Sequence, residues 1–204
     1  MRQVYIVRHG ETDWNKTGRF QGQTDIPLNA MGRTQAAALR SSLMGALPFD
    51  RIVASDLCRA VETAEILSQG DDTPLHTDSG FREMDFGDWE GLDAQAIDHR
   101  WPGELRRWFD EGQLAKHGGE TQEQLFERVR KHFRLWADRS DYERLAIVCH
   151  GGVSSALMCS ILGKPPQDMV RYLMKNASAY LVHVEGLDSY RLEVLPQTVI
   201  LLDQ

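Results

Sequence analysis

The stretch "VYIVRHGETDWN", residues 4–15, passes directly from apolar, β-forming residues to Arg8, His9 and Gly10. Val and Ile favour strands, and a short unbroken apolar run is typical of a strand that is covered on both faces of a sheet. The run therefore predicts a buried strand that ends at Arg8. Because three-residue matches are frequent by chance, the histidine needs support from the rest of the chain before it is given a chemical role.

Three further apolar runs resemble the first: "RIVAS" (51–55), "LAIVCH" (145–150) and "AYLVHV" (179–184). The segments between the runs have the apolar spacing of helices. Strands that alternate with helices predict an α/β fold, here a three-layer α/β/α sandwich with a mainly parallel central sheet. Polar residues suited to N-capping precede three of the helical segments: Asn29, Ser55 and Thr121.

The chain has 204 residues, 42% of them hydrophobic, which is enough to bury the core of one sizeable domain. No linker-like or repetitive tract divides it, so we expect a single domain over residues 1–204. Region 85–118 differs from the rest, because it contains Trp89, Trp101 and Trp108 and a Pro-Gly break. We expect this region to be a cap or insertion within the domain rather than part of the sheet.

The formal net charge of −7 argues against binding to nucleic acid or to an acidic membrane surface, because such partners need a basic face. An anionic ligand must then be met by a local group of arginines. The odd number of cysteines indicates reduced thiols rather than a disulfide framework. No apolar run has the length of a membrane span, and the sequence before Arg8 is too short for a signal peptide. We therefore expect a cytoplasmic protein.

The carboxyl ends of three predicted strands carry ionisable residues. The first strand ends in Arg8 and His9, the second is followed by Arg59 in the first turn of a helix, and the third is followed by His150. Ligands of open α/β sheets bind beyond these strand ends. If the strands are neighbours, two histidines and two arginines converge there, and packing alone does not explain that recurrence.

Such a group of residues suits phosphoryl transfer. Two arginines offer planar donor arrays for a phosphate dianion, and a neutral imidazole can attack phosphorus to form a phosphohistidine. The second histidine and the arginines then stabilise charge on the transferring oxygens. We expect the backbone N–H groups at the helix starts after Ser55 and Gly152 to assist, and Gly10 and Gly151 to let the backbone approach the phosphate.

The departing alkoxide needs a proton donor. We prefer Glu83, in "FREMDFGDWEG" (81–91), because it follows a strand-like segment and precedes the aromatic cap. A phosphate dianion nearby and partial burial both favour a protonated carboxyl group at this place. Glu11, Asp85 and Asp88 remain alternatives.

Other chemistries lack their motifs in this sequence. It has no phosphate-binding P-loop, no nucleophile elbow and no dinucleotide-binding fingerprint. It also lacks the histidine and cysteine spacings of a dedicated metal site. We therefore expect no metal and no cofactor, and a small phosphorylated metabolite as the partner.

The motifs resemble those of the histidine phosphatase superfamily, the phosphoglycerate-mutase-like proteins. They occur in the family's order and cover most of the chain. The matches are "RHGET-x-W-N" at 8–15, "RFQG" at 19–22, "L-N-x-x-G-x-x-Q-A" at 28–36, "ASDLCRAVETA" at 54–64, "REMDFGDWEG" at 82–91, "GGET" at 118–121 and "CHGG" at 149–152.

The resemblance implies a role for each matching residue. It implies His9 as the phosphorylated nucleophile, Glu83 as the proton donor, and a phosphate pocket. The pocket residues would be Arg8, Arg59, His150 and Asn15, and Gln21 and Gly22 would border the substrate. A homodimer is expected at the level of the family alone.

The short chain resembles broad-specificity and α-ribazole phosphatases more than cofactor-dependent mutases. Mutases that resemble it are longer and carry an extra basic stretch after the "GDWEG" equivalent, whereas the region here is short and mixed in charge. We therefore expect a metal-independent phosphatase of small phosphomonoesters, whose cap, with Arg106 or Arg107, would read the leaving group. The alternatives are a 2,3-bisphosphoglycerate-dependent phosphoglycerate mutase and a catalytically silent module that binds a phosphorylated ligand.

Overall fold

A computed structural model describes residues 1–111 and 117–195. The strands in these ranges are β1 (Arg2–Arg8), β2 (Arg51–Ala54), β3 (Leu75–Thr77), β4 (Arg144–Cys149), β5 (Ala179–Gly186) and β6 (Ser189–Glu193). The α-helices are α1 (Asp13–Lys16), α2 (Ala30–Ser42), α3 (Cys58–Leu67), α4 (Ala94–Arg100), α5 (Glu104–Glu111), α6 (Gln122–Ala137) and α7 (Gly151–Ile161).

The strands form one sheet in the order β3-β2-β4-β1-β5-β6. The first four strands in that order are mutually parallel, while β5 and β6 run antiparallel to their neighbours. Arg8 at the end of β1 lies opposite Cys149 at the end of β4, and the His9 N–H donates to the Cys149 carbonyl oxygen at 3.0 Å. The register therefore places His9 and His150 beyond adjacent strand ends, and the predicted mainly parallel sheet is confirmed.

Helices cover both faces of the sheet. Along β1, Val4 and Ile6 belong to a core shared with α6 and α7. Tyr5 and Val7 point to the other face and belong to a core shared with α2 and α3. Because successive side chains of a strand point to opposite faces, one unbroken apolar run fills both cores. The predicted three-layer α/β/α arrangement is confirmed.

The starts of the helices follow the sequence with one exception. Asn29 caps α2 and Thr121 caps α6, both as predicted. Ser55 does not cap α3, because it lies three residues before the first helical residue, Cys58. Instead, the Asp25 carboxylate accepts the Cys58 N–H at 2.7 Å from another part of the chain. A carboxylate at this end of a helix is also favoured by the helix dipole.

The region predicted as a cap, 85–118, contains α4 and α5, and its residues 112–116 lie outside the described residues. Phe20, Phe86, Trp89 and Trp108 pack edge to face with ring centroids 5.0 to 6.2 Å apart. This aromatic cluster joins the loop after α1 to region 85–118, whose role as a cap stays a prediction. Over the two described ranges, every helix is too short or too polar to cross a membrane.

Candidate active site

A cavity of about 310 Å³ opens beyond the carboxyl ends of β1, β2 and β4. His150 is fully buried beside it, with its ring edge-on to that of His9 at a centroid distance of 5.1 Å. Gly22 is not among the described lining residues; its carbonyl oxygen instead accepts from Arg59 at 2.7 Å. The predicted site residues that line the cavity are Arg8, His9, Asn15, Gln21, Arg59, Glu83 and Gly151.

The hydrogen bond of His9 defines its tautomer. Its Nδ1 lies 2.6 Å from the Gly10 carbonyl oxygen, and the residue is 2% exposed. A carbonyl oxygen only accepts, so Nδ1 carries the proton and Nε2 carries the lone pair. Thr63 supports the turn, since its hydroxyl oxygen accepts the Gly10 N–H at 3.1 Å. His9 therefore has its nucleophilic nitrogen free.

His150 has the opposite tautomer. The Arg59 Nε–H donates to His150 Nδ1 at 3.2 Å, so the proton of the neutral ring is on Nε2. This Nε2 is buried and has no hydrogen-bond partner among the described residues. A buried donor without a partner is costly unless a ligand satisfies it. His150 is therefore suited to donate a hydrogen bond to a phosphoryl oxygen.

Arg59 is held by the loop before α2. Its Nη1 donates to the Thr24 carbonyl oxygen at 2.8 Å and its Nη2 to that of Gly22 at 2.7 Å. Glu90 shapes this loop, because its two carboxylate oxygens accept the N–H groups of Gln23 and Thr24, each at 2.9 Å. Gly22 has φ +53°, and a Cβ there would lie 1.8 Å from Glu90 Oε1. A side chain at position 22 would therefore displace Glu90 and disturb the loop that binds Arg59.

Arg8 and His9 are held by a loop that the sequence did not single out. Arg8 Nη1 donates to the Met174 carbonyl oxygen. Asn176 Nδ2 donates to the His9 carbonyl oxygen and to Asn15 Oδ1, both at 3.1 Å. With its oxygen engaged, Asn15 has its NH₂ group available to a ligand. Asn176 lies in an irregular segment before β5, and no motif in the sequence indicates its role.

Glu83 faces the cavity with both carboxylate oxygens oriented by the backbone. Oε1 accepts the Met84 N–H at 2.9 Å, and Oε2 accepts the Gly152 N–H at 3.1 Å. Arg128 on α6 donates to the Glu83 carbonyl oxygen at 3.3 Å and forms an ion pair with Glu120 at 2.7 Å. Arg128 also binds two further carbonyl oxygens of the same loop. The loop that carries Glu83 is thus organised by an arginine that does not line the cavity.

These contacts correct two expectations about the backbone. The helix starts after Ser55 and Gly152 were expected to offer backbone N–H groups to phosphate, but the carboxylates of Asp25 and Glu83 accept the Cys58 and Gly152 N–H groups there. Gly10 is required by packing against α2, since a Cβ there would lie 2.3 Å from the Gly32 carbonyl oxygen. Other parts of the protein therefore occupy the positions beside Cys58, Gly152 and Gly10 where contacts with phosphate were expected.

The alternative proton donors lie elsewhere. Glu11 Oε1 accepts the Asn29 side-chain amide at 2.9 Å, and Asp85 Oδ1 accepts the Gly87 N–H at 2.8 Å. Glu83 is the only acidic residue among the described residues that line the cavity. Within residues 1–111 and 117–195, no group of three or more histidine, cysteine, aspartate and glutamate side chains is arranged to hold a metal ion.

Burial and positive charge keep both imidazoles neutral. The pKa of His9 lies well below its usual value, because burial disfavours the cation and Arg59 and Arg8 repel it. The pKa of His150 is lowered in the same way, with His9 adding to the effect of the arginines. Burial also lowers the pKa of Arg8 and of Arg59, whereas the Glu83 carboxylate opposes that shift. The site therefore presents neutral histidines between two cations.

The outer part of the cavity is mainly apolar. Gln122, which is 1% exposed, donates its Nε2–H to the Trp108 carbonyl oxygen at 3.4 Å. Arg19 lines the mouth, while Arg106 and Arg107, expected to read the leaving group, do not line the cavity. Arg106 and Arg107 each form an ion pair with an acidic residue of the same helix, α5. The apolar lining residues are Phe20, Met84, Phe86, Trp108, Phe109, Met169, Val170 and Leu173.

Comparisons with known proteins agree with this geometry. Residues 4–194 match the histidine phosphatase superfamily (branch 1). The glucosyl-3-phosphoglycerate phosphatase of Mycolicibacterium vanbaalenii is 34% identical over 172 residues, which cover 81% of this chain and 76% of that protein. A probable phosphoglycerate mutase GpmB of Salmonella choleraesuis is 34% identical over 181 residues, covering 87% and 83% respectively.

A solved structure extends the likeness to the fold. The α-ribazole phosphatase from Shigella flexneri superposes with a TM-score of 0.85 at 27% identity, covering 99% of this chain and 100% of that one. The family match spans nearly all the described residues, and five of the seven motifs found in the sequence contribute residues that line one cavity. This chain belongs to branch 1 of the histidine phosphatase superfamily.

Proposed function

We propose that the protein is a metal-independent phosphatase that hydrolyses small phosphomonoesters through a phosphohistidine on His9. The observation that carries the proposal is the pair of buried histidines with opposite tautomers between Arg8 and Arg59. One ring offers a lone pair and the other an N–H, as attack on a phosphoryl group requires. The phosphatases among the relatives support the same reaction class.

In the first step, the arginines, His150 and Asn15 bind the phosphoryl oxygens, and His9 Nε2 attacks phosphorus. The P–N bond forms while the P–O bond to the alcohol breaks. Glu83 donates its proton to the departing oxygen, so that the alcohol leaves neutral. Positive charge on both sides of the transferring group stabilises the oxygens throughout.

In the second step, water replaces the alcohol. The Glu83 carboxylate takes a proton from this water, whose oxygen attacks phosphorus and breaks the P–N bond. Inorganic phosphate leaves, and His9 and Glu83 return to their starting protonation states. The Met84 and Gly152 N–H groups that orient Glu83 serve both steps, because they hold the carboxyl group in one place.

The test is phosphate release from a panel of phosphomonoesters in EDTA, with wild type and His9→Ala compared. The panel contains α-ribazole phosphate, 3-phosphoglycerate, phosphoserine, sugar phosphates and an aryl phosphate. We expect release from wild type, no release from His9→Ala, and a wild-type phosphoenzyme whose extra phosphoryl group maps to His9 by mass spectrometry. Equal release by the variant would exclude His9 as the nucleophile.

The probable phosphoglycerate mutase GpmB among the relatives makes a mutase the second candidate. Such an enzyme would need 2,3-bisphosphoglycerate to phosphorylate His9, and isomerisation of phosphoglycerate would then exceed phosphate release. Among the described residues of region 85–118, Arg107 pairs with Glu104 at 2.8 Å and Arg106 with Asp110 at 3.7 Å, so carboxylates on the same helix already face both arginines. Binding of phosphate esters without either reaction would point to a silent binding module.

We also propose a cytoplasmic location and a small phosphorylated metabolite as the partner. The cysteines Cys58, Cys149 and Cys159 are all free thiols, which suits a reducing compartment. A homodimer is tested by light scattering over a range of protein concentrations.

A further inference from the structure

On the proposed function, the outer part of the cavity faces the leaving alcohol, and the role assigned below rests on that function. The walls of this outer part come from three separate segments: Phe20 after α1, Phe86 and Trp108 in the cap, and Met169 in the segment after α7. These side chains offer apolar surface and no charge. A charged group on the alcohol would therefore be costly anywhere along these walls unless a cation meets it.

Arg19 is that cation. It is exposed at the mouth of the cavity, and no hydrogen bond or ion pair engages its guanidinium among the described residues. Asp93 forms a backbone bridge with Arg19, but its carboxylate caps α4 by accepting the Ala96 N–H at 2.8 Å. Among the described residues, the other cations that line the cavity are Arg8 and Arg59, and both lie at its phosphate end.

The backbone around Arg19 is held, although its side chain is free. The Arg19 N–H donates to the Trp14 carbonyl oxygen at 2.9 Å, and the Phe20 N–H donates to that of Leu92 at 2.9 Å. The Gly91 N–H donates back to the Phe20 carbonyl oxygen at 2.8 Å. The loop is thereby joined to the cap, so the guanidinium projects from a fixed point beside the cavity.

We propose that Arg19 is a specificity residue that binds a carboxylate on the leaving alcohol. A single guanidinium matches one negative charge and can contact a carboxylate through two parallel hydrogen bonds. The phosphate end, in contrast, uses two arginines for a dianion. The substrate class is accordingly a phosphomonoester whose alcohol combines an apolar or ring-shaped body with a carboxylate.

The test uses two pairs of substrates that differ in the carboxylate: 3-phosphoglycerate with glycerol 3-phosphate, and 4-carboxyphenyl phosphate with phenyl phosphate. Wild type should prefer the carboxylate member about tenfold in kcat/KM, mainly through KM. Arg19→Gln should remove the preference, because it lowers kcat/KM about tenfold more for the member with a carboxylate than for the member without one, and Arg19→Lys should restore part of the preference. Arg106→Gln is the matched control, because this exposed arginine does not line the cavity, and it should retain the preference.

Equal effects of Arg19→Gln on both members of a pair, or no effect on either, would overturn the proposal. Calorimetric binding of the same four compounds to His9→Ala and to His9→Ala/Arg19→Gln separates it from the proposed function. Loss of the carboxylate preference in binding supports Arg19 even if wild type releases no phosphate. If glycerol 1,3-bisphosphate, in which a second phosphate replaces the carboxylate, depends on Arg19 more strongly than 3-phosphoglycerate does, the assignment to a carboxylate is wrong.

Discussion

His9 and His150 show how one residue type takes two chemical roles through its hydrogen bonds. A carbonyl oxygen beside His9 holds the proton on Nδ1, and a guanidinium beside His150 forces it onto Nε2. Their side chains lie side by side, yet one presents a lone pair and the other a donor. Arg59 is central at this scale, because it sets the tautomer of His150 and also faces the cavity.

Replacement of Arg59 tests this dual role. Its Nε and both terminal nitrogens already bind His150, Thr24 and Gly22, so two of its five N–H groups remain for phosphate. A lysine has three N–H donors on one nitrogen and cannot serve all these positions. We expect Arg59→Ala and Arg59→Lys to lower kcat/KM by about a hundredfold or more, measured by steady-state phosphate release.

The control for this pair is Arg33→Ala, which removes an exposed arginine paired with Glu62 on the surface. It should leave kcat/KM unchanged. A wild-type rate for Arg59→Lys would contradict the forked contact that we assign to Arg59.

At the scale of elements, the strands deliver the reactive residues and three loops hold them in place. Glu90 shapes the loop that holds Arg59, Asn176 ties the turn after β1, and Arg128 organises the loop that carries Glu83. Each loop is fixed by a side chain from a distant part of the chain. The site is therefore preorganised by contacts between elements rather than by the motifs alone.

Arg128 is a positioning residue for the proton donor. We expect Arg128→Ala to lower the rate with an alkyl phosphate by about tenfold or more, while the rate with 4-nitrophenyl phosphate falls much less. The reason is that a poor leaving group depends on protonation, whereas 4-nitrophenolate leaves readily without it. The measurement is kcat for both substrates with each variant.

Arg130→Ala on the same helix is the matched control, because the exposed Arg130 pairs with exposed Glu127 at 2.9 Å and has no other ion pair among the described residues. It should change neither rate. If Arg128→Ala slowed both substrates equally, the role of Arg128 would be general stability and not the orientation of Glu83.

At the scale of the whole molecule, folding buries two neutral imidazoles among cations. The pKa values of His9 and His150 are lower in the folded chain than the value of about 6.5 expected after unfolding. Below that pH the unfolded chain binds more protons than the folded chain, so the free energy of unfolding falls as the pH decreases. The contribution of these two histidines to the free energy of unfolding is thus fully present above about pH 6.5. It is lost as the pH falls from there toward their pKa values in the folded protein.

We expect each of these histidines to add to the slope of unfolding free energy against pH, up to about 1.4 kcal/mol per pH unit, and this limit is approached about one pH unit below the ordinary pKa of about 6.5. His9→Ala should reduce the slope, whatever it does to the absolute stability. Urea unfolding at several pH values measures it, with His99→Ala, an exposed position on α4, as the control. An unchanged slope in His9→Ala would mean that His9 titrates equally in both states.

Much of the fold and of the site could be predicted from local patterns. The apolar runs predicted β1, β2, β4 and β5. The fold class predicted from strands that alternate with helices is confirmed, and so is the family predicted from the motifs. The prediction that Ser55 is the N-cap of α3 was wrong, because the Asp25 carboxylate reaches the start of α3 from a remote loop. The assignment of roles to His9, Glu83 and the arginines stays a prediction that the variants above test.

The sequence by itself determined which chemically active residues follow which strand ends, because strand and helix patterns are local and the motifs occur within a few residues. Only the tertiary structure decided how those residues are used. Arg59 and His150 are 91 residues apart, and Glu83 and Gly152 are 69 apart, yet these contacts set a tautomer and orient a carboxyl group. The same is true of Arg19, which lines the cavity where Arg106 and Arg107 do not. Hydrogen bonds and side-chain directions between distant segments depend on how the layers pack, and no local pattern encodes them.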